Sequence, residues 1–280
     1  MYTFFERNAL TRVLYYGINI SLGLLFLLPF YWTVSTSLKT APNVRLYPPQ
    51  LFPNPLTFSN YSAVWVQRED FPLWYFNSLI VGAFTVICVV IISALAGYGF
   101  AKFQFPGREL LFFSILVSMM IPGQSLLVSL FEIMKRLNLI NTRTVLVIIY
   151  TTGQLAFSIF LMRNAFEVIP NALLEAAKID GCGDMNALIR IALPLVLPSM
   201  ATVAIFAFIG AWNEFIVALI FTTTDPMKTV PVGLSILLGV YGTNWQNLTA
   251  VATLASIPPI VLFLLSQRLF IRGITSGAIR

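Results

Sequence analysis

The stretch PNALLEAAKIDGCGDMNALIRIALP, residues 170–194, places Glu175, Lys178, Asp180, Asp184 and Arg190 in one polar segment between two long apolar runs. A second polar group, Trp212-Asn213-Glu214, lies inside an apolar run. Neither group has the residue types for covalent or acid–base catalysis at neutral pH. The chain has no histidine, which removes imidazole as metal ligand and as proton carrier. Its two cysteines, Cys88 and Cys182, form no CxxC pair and read as structural thiols. No GxxxxGK[ST] loop offers backbone amides to a phosphate, so the chain cannot hydrolyse ATP by itself. What remains is recognition, with polar groups set to touch a partner or a solute. The expectation is a non-catalytic protein that binds no cofactor of its own.

The elements that hold these groups follow from composition. The chain has 280 residues, 58% of them hydrophobic and only 10% charged. A soluble domain carries about 25% charged residues. Most of this surface must therefore face lipid or other apolar chains. A bilayer core takes about 20 apolar residues in a helix. Six runs meet that length: 13–37, 76–101, 109–131, 144–164, 195–220 and 250–270. The expected class is all-α, a polytopic membrane protein with six transmembrane helices in a single domain, 1–280. The first run is too long for a signal peptide and reads as a retained helix.

The formal charge of +6 is scattered between the runs, so it suits membrane flanks and not nucleic acid. With the N-terminus inside, ten Lys and Arg fall in inner segments, among them Lys102, Arg108, Arg163, Lys178 and Arg190. Seven fall outside, among them Lys39, Arg143 and Lys228. This favours an N-in, C-in topology and puts 165–194 in the cytoplasm. Of the outer segments, 39–75 is proline-rich and expected to be extended. The segment 221–249 contains VGLSILLGV, too short to span and expected as a re-entrant or surface helix.

Within 170–194, Pro170 suits a first helical turn and Asn171–Asp180 are mostly helix formers. Gly181 is expected to end that helix, Asp184 to cap a second one, and Pro194 to interrupt it. Leu173, Leu174 and Ala177 fall near one side of the first helix, and small Ala176 and Ala177 allow close approach. A helix of this length is marginal alone in water, so packing must hold it.

The spacing Glu175-Ala176-Ala177, three residues, Gly181, nine residues, Ile191, one residue, Leu193-Pro194 is that of the EAA signature. On it the chain resembles the permease subunits of bacterial ATP-binding-cassette importers. NYSAVW, AKFQFPGR, AWNEF and the terminal QRLFIRGITSGAIR are similar to the second permease of carbohydrate importers, the group of the maltose and glycerol-3-phosphate systems. The resemblance implies that residues 170–182, between helices 4 and 5, form a coupling helix seated on a cytoplasmic ATPase. Glu175, Ala176, Ala177, Asp180, Gly181, Ile191, Leu193 and Pro194 would carry that contact. It also implies a homologous permease partner, two ATPase subunits that hold ATP and magnesium, an extracytoplasmic binding protein, and a place in the bacterial cytoplasmic (inner) membrane. The tail from Gly273 to Arg280 would touch the ATPase pair.

Glu214 is the clearest ionisable residue within a span. A charge there costs about 2.5–3.5 kcal/mol at a helix centre, so it must face a cavity or a partner. Trp212 and Asn213 beside it suit the mixed apolar and hydroxyl surface of a sugar, and Gln154 in the fourth run is a further pathway candidate. Bracing of this helix by Asn213 and Glu214 against the partner permease is an equal alternative, and interhelical hydrogen bonding is the commoner role for a residue such as Gln154. Gly210, Pro258 and Pro259 are expected kink points. The function this points to is import of a sugar or oligosaccharide. The alternatives are glycerol 3-phosphate or a related polyol phosphate in the same machinery, and a stand-alone channel or secondary transporter.

Overall fold

Long apolar runs free of internal breakers become long helices, and proline, glycine and polar pairs punctuate them. The computed structural model describes residues 9–66, 70–239 and 244–278, with side-chain surroundings as far as 267. Every regular element among the described residues is helical. In chain order these are α1 (Ala9–Ser37), α2 (Ala41–Val44), α3 (Ser59–Trp65), α4 (Asp70–Lys102), α5 (Arg108–Ser118), α6 (Leu127–Arg136) and α7 (Arg143–Glu167). There follow α8 (Asn171–Ile179), α9 (Asp184–Ala187), α10 (Leu193–Leu195), α11 (Leu197–Asn213), α12 (Ile216–Phe221), α13 (Val230–Gly239) and α14 (Trp245–Ala278).

Four described helices are long and apolar enough to cross a membrane: Thr11–Ser37, Asp70–Lys102, Arg143–Glu167 and Trp245–Gln267. Two bent pairs raise the number to six if each is one span. Arg108–Ser118 meets Gly123–Arg136 at 90°, and Asp184–Leu195 meets Leu197–Asn213 at 80°. The run 109–131 is thus not one straight helix. Pro122 takes extended backbone and a 3-10 turn, Gly123–Leu126, follows it. The run 195–220 bends at Val196 and breaks again at Glu214, whose ψ of 127° is extended. Pro258 and Pro259 lie within α14, which continues through them. The side chains of the tail from Gly273 to Arg280 fall outside the described residues.

The chain divides into two compact units, Met1–Glu69 with Leu234–Ser256, and Asp70–Gly233 with Ile257–Arg280. In the first, the proline-rich segment folds back on the end of α1. Tyr31 and Ser35 both donate to the Leu51 carbonyl, and Asn60 donates to the carbonyls of Ser37 and Lys39. Lys39 is 2% exposed, donates to the Gln50 carbonyl and lies 4.3 Å from the centre of the Trp32 ring. Burial holds its ammonium below the ordinary lysine range. Most large side chains of α1 are left exposed by the rest of the chain. A helix that is apolar all round and uncovered needs lipid or another subunit against it.

In the second unit α4, α7 and α11 pack together. At Gly97 the backbone of α4 meets α7 so closely that a Cβ would lie 2.7 Å from Met162 Cβ and 2.8 Å from the Arg163 amide nitrogen. Small residues at helix crossings permit this approach. One end of the unit is fixed by hydrogen bonds to the turn before α13. Buried Asn77 donates to the carbonyls of Pro226 and Lys228 and accepts from Arg143, and Trp74 donates to the Asp225 carbonyl. At the other end an apolar cluster joins α4, α7, α8 and the segment after α9, with Tyr98, Phe166, Leu174, Ala187, Leu188 and Ala192 among its buried members.

Gly97→Ala is expected to separate α4 from α7 and cost about 1–3 kcal/mol. A thermal melt of the purified protein checks this, and an unchanged midpoint would mean that the crossing tolerates a methyl group.

Candidate functional site

The site is built on α8. Pro170 takes extended backbone at its N-cap position, and the helix runs from Asn171 to Ile179. Its C-terminus is a Schellman turn: the Cys182 amide donates to the Ala177 carbonyl at 2.9 Å, and the Gly181 amide to the Lys178 carbonyl at 3.0 Å. The turn requires a left-handed residue, and Gly181 has φ +80°. A side chain at this φ is strained even where space is open.

The two faces of α8 differ. Leu174 is buried in the cluster with Tyr98, Phe166 and Ile169, and Ala177 is buried as well. Ala172, Leu173, Glu175, Ala176, Lys178, Ile179 and Asp180 are exposed, Ile179 to 87%. The sequence placed Leu173 beside Leu174 and Ala177, and treated Ala176 and Ala177 as a pair. Packing separates them. Ala177 is buried on the same side as Leu174, while Ala172, Ala176 and Ile179, at spacings of four and three, make an uncovered strip on the outward side.

The following segment also differs in detail from its sequence reading. Gly183 holds the N-cap position of α9 and Asp184 is its first helical residue, with no side-chain cap bond. Asp184 instead pairs with Lys178 at 2.7 Å, and this hydrogen bond raises the Lys178 ammonium above the ordinary lysine range. Leu188–Ala192 is a π-helical turn leading directly into α10, so Pro194 lies within a helical turn and the break falls at Val196. A widened turn accommodates a proline that has no amide hydrogen to give. Ile191 and Leu193 pack against the cluster, and Pro194 is exposed. Of the eight EAA positions, Glu175, Ala176, Asp180, Gly181 and Pro194 are outward and the other three are covered.

The second group lies at the end of α11. Trp212 is buried, stacked on Phe208 at 5.5 Å and edge-on to Tyr75 at 5.7 Å. Asn213 is exposed. Glu214 occupies the break between α11 and α12. Its carboxylate accepts from the amides of Val217 and Ala218 and from the Tyr150 hydroxyl at 2.8 Å. Gln154 donates to the Ala207 carbonyl at 3.1 Å and fills the space over Gly210, where a Cβ would meet its Nε2 at 2.8 Å. Both side chains therefore brace helix to helix within this chain. Tyr150 had no role in the sequence reading. An isolated tyrosine in an apolar run gives no sign of a carboxylate 64 positions later.

Residues 89–276 match the family of binding-protein-dependent transport system inner membrane components. The chain belongs to this family. Relatives agree along the whole length. The sulfoquinovosyl glycerol transport system permease of Agrobacterium fabrum is 34% identical, over 91% of this chain and 89% of that one. The trehalose/maltose transport system permease of Thermococcus litoralis is 33% identical, over 98% and 99%. Among solved structures, a bacterial ABC transporter that imports the acidic polysaccharide alginate has a chain of 25% identity and TM-score 0.80, covering 94% of this chain and 98% of that one. The protein is an ABC-transporter permease of the carbohydrate-uptake group, a multi-pass membrane subunit and not an enzyme.

Glu214→Ala would leave two amides and the Tyr150 hydroxyl without their acceptor. The expected loss is about 1–3 kcal/mol, with a smaller loss for Glu214→Gln, which keeps one carbonyl oxygen. Melting of the detergent-purified permease measures both, and equal midpoints for all three proteins would show that the break holds without the carboxylate.

Proposed function

We propose that this chain is one permease of an ATP-driven importer, forming the translocation pathway with a homologous permease for a sugar or oligosaccharide. An extracytoplasmic binding protein delivers the solute, and two ATPase subunits, which hold the nucleotide and magnesium, drive the cycle in the bacterial cytoplasmic membrane. In this reading 1–280 is one transmembrane domain of six spans, with each bent helix pair counted as one span and both termini inside. Residues 165–194 then lie in the cytoplasm, with α8 as the helix that seats on an ATPase.

The observation that carries the reading is the two-sided character of α8. Glu175, Ala176 and Ala177 sit on a helix whose inner side buries Leu174 and Ala177 and which Gly181 ends. Its other side presents Ala172, Ala176 and Ile179 uncovered, with Glu175 and Asp180 around them. Small side chains and a charged margin suit a partner groove. The exposed length of α1 leaves room for lipid and for the second permease. The sugars named for the relatives, trehalose/maltose and arabinooligosaccharides among them, support carbohydrate as the solute class.

The cycle follows from a two-state argument. ATP closes the ATPase dimer, which grips α8 differently in the closed and open states, and that difference in contact free energy shifts the spans from inward- to outward-facing. Hydrolysis returns them. Of the pathway candidates, Asn213 has an exposed side chain available to solute beside the ring of Trp212, whereas Glu214 and Gln154 hold the wall in shape.

Gly181→Asp is expected to abolish uptake, by about tenfold or more, while the protein remains in the membrane. Radiolabelled-sugar uptake and membrane immunoblots measure the two effects. Normal uptake would refute the role of the turn. A cysteine at Lys178 is expected to cross-link to the ATPase subunit in the assembled complex, and its failure to do so would remove α8 from that interface.

A further inference from the structure

The turn AKFQFPGR, between α4 and α5, has no assigned role in the reading above, yet it is tied to the base of α8. Lys102, the last residue of α4, donates from Nζ to the Ile169 carbonyl at 2.5 Å and to Asn171 Oδ1 at 2.9 Å. Ile169 follows the end of α7 and Asn171 begins α8, so a single ammonium spans the corner between them. Its charge suits a carbonyl left unpaired at a helix C-terminus. Phe103 then lies edge-on to Tyr98, and Tyr98 edge-on to Phe166 of α7, so the ring contacts run beside the polar ones.

The far end of the turn is fixed as well. Arg163 of α7 donates to both carboxylate oxygens of Glu109, the second residue of α5, at 2.9–3.1 Å. The same guanidinium lies 4.0 Å from the centre of the Phe112 ring and also pairs with Glu167 at 2.8 Å; Arg163 is 9% exposed, whereas the Glu109 side chain is largely exposed. A two-oxygen contact of this kind fixes direction as well as distance. The turn is thus bonded at one end to the α7–α8 corner and at the other to the middle of the last turns of α7.

We propose that Lys102 is a positioning residue of the coupling apparatus, which locks the root of α8 to the end of α4. Together with the Arg163–Glu109 fork it makes α4, α5, α7 and α8 move as one lever. A push on α8 then reaches the pathway walls through four helices, and not through the α7–α8 connection alone. The inference rests on the reading of α8 as the helix gripped by an ATPase.

The test uses the complete transporter, co-expressed with its partner permease, ATPase and binding protein and placed in lipid nanodiscs. Spin labels are attached through Gly99→Cys on α4, where a Cβ meets nothing within 4 Å, and Leu173→Cys on exposed α8 surface, with Cys88→Ser and Cys182→Ser in the background. In the wild-type complex the label distance is expected to stay the same between nucleotide-free and vanadate-trapped states. In Lys102→Met it is expected to shift and broaden between them. Stimulation of ATP hydrolysis by the binding protein is expected to fall about tenfold, with recovery in Lys102→Arg. An unchanged distance and unchanged stimulation in Lys102→Met overturn the proposal, as does a wild-type distance that moves on trapping. If Lys102→Met does not assemble, Asn171→Ala, which removes one of the two acceptors, decides: a partial loss of stimulation supports the lever and no loss overturns it. The Lys178→Cys cross-link separates the two ideas. Its absence removes the ATPase contact, and its presence beside an unaffected Lys102→Met removes the lever alone.

Discussion

A nine-residue helix cannot hold itself in water, and α8 is held by the burial of Leu174 in the cluster with Tyr98, Phe166 and Ile169, with Ala177 buried on the same side. The rest of the site follows from that burial. It fixes which face of α8 is spent on the chain's own core and which is left over. It also brings the ends of α4 and α7 to the root of α8, where Lys102 can reach both. The close crossing at Gly97 serves the same end, since α4 and α7 must nearly touch for one cluster to take side chains from both.

Much of this was legible in the residues. The apolar runs gave the long helices, because an uninterrupted stretch of this length has few other stable forms. Gly181 marked the end of α8, since only a glycine takes the left-handed turn at little cost. The EAA spacing pointed to the family before any helix was placed. The division of α8 into faces was read less well. Leu173 and Leu174 are adjacent in sequence, and nothing local says which one finds the cluster. That depends on where α7 delivers the helix, which is a tertiary fact.

The bends were hidden for a related reason. In the run 109–131 the short stretch Pro122-Gly123-Gln124-Ser125 interrupts a largely apolar pattern, and hydropathy does not register a right angle. The π-turn at Leu188–Ala192 is similar, because it lets Pro194 sit inside a helical segment that sequence rules would end. For Glu214 and Gln154 the sequence leaves a pathway role and a bracing role both open. Their partners, Tyr150, the amides of α12 and the Ala207 carbonyl, are on other helices or at a break that was not foreseen. A polar side chain in an apolar run signals that something meets it and does not say whether that is a solute or a neighbouring helix.

The bonds that fasten the α4–α5 turn also bear on how the protein is made. Glu109 waits for Arg163, 54 residues further along, and Lys102 waits for acceptors 67 and 69 residues further along. Glu109 has Arg108 beside it from the start, but the contacts that tie the turn to α7 and α8 need residues made later. The turn can be fastened only after α7 has been threaded and the chain has begun α8. The contacts that join the α4–α5 turn to the α7–α8 corner are thus long-range in sequence, and they form only once both halves are present.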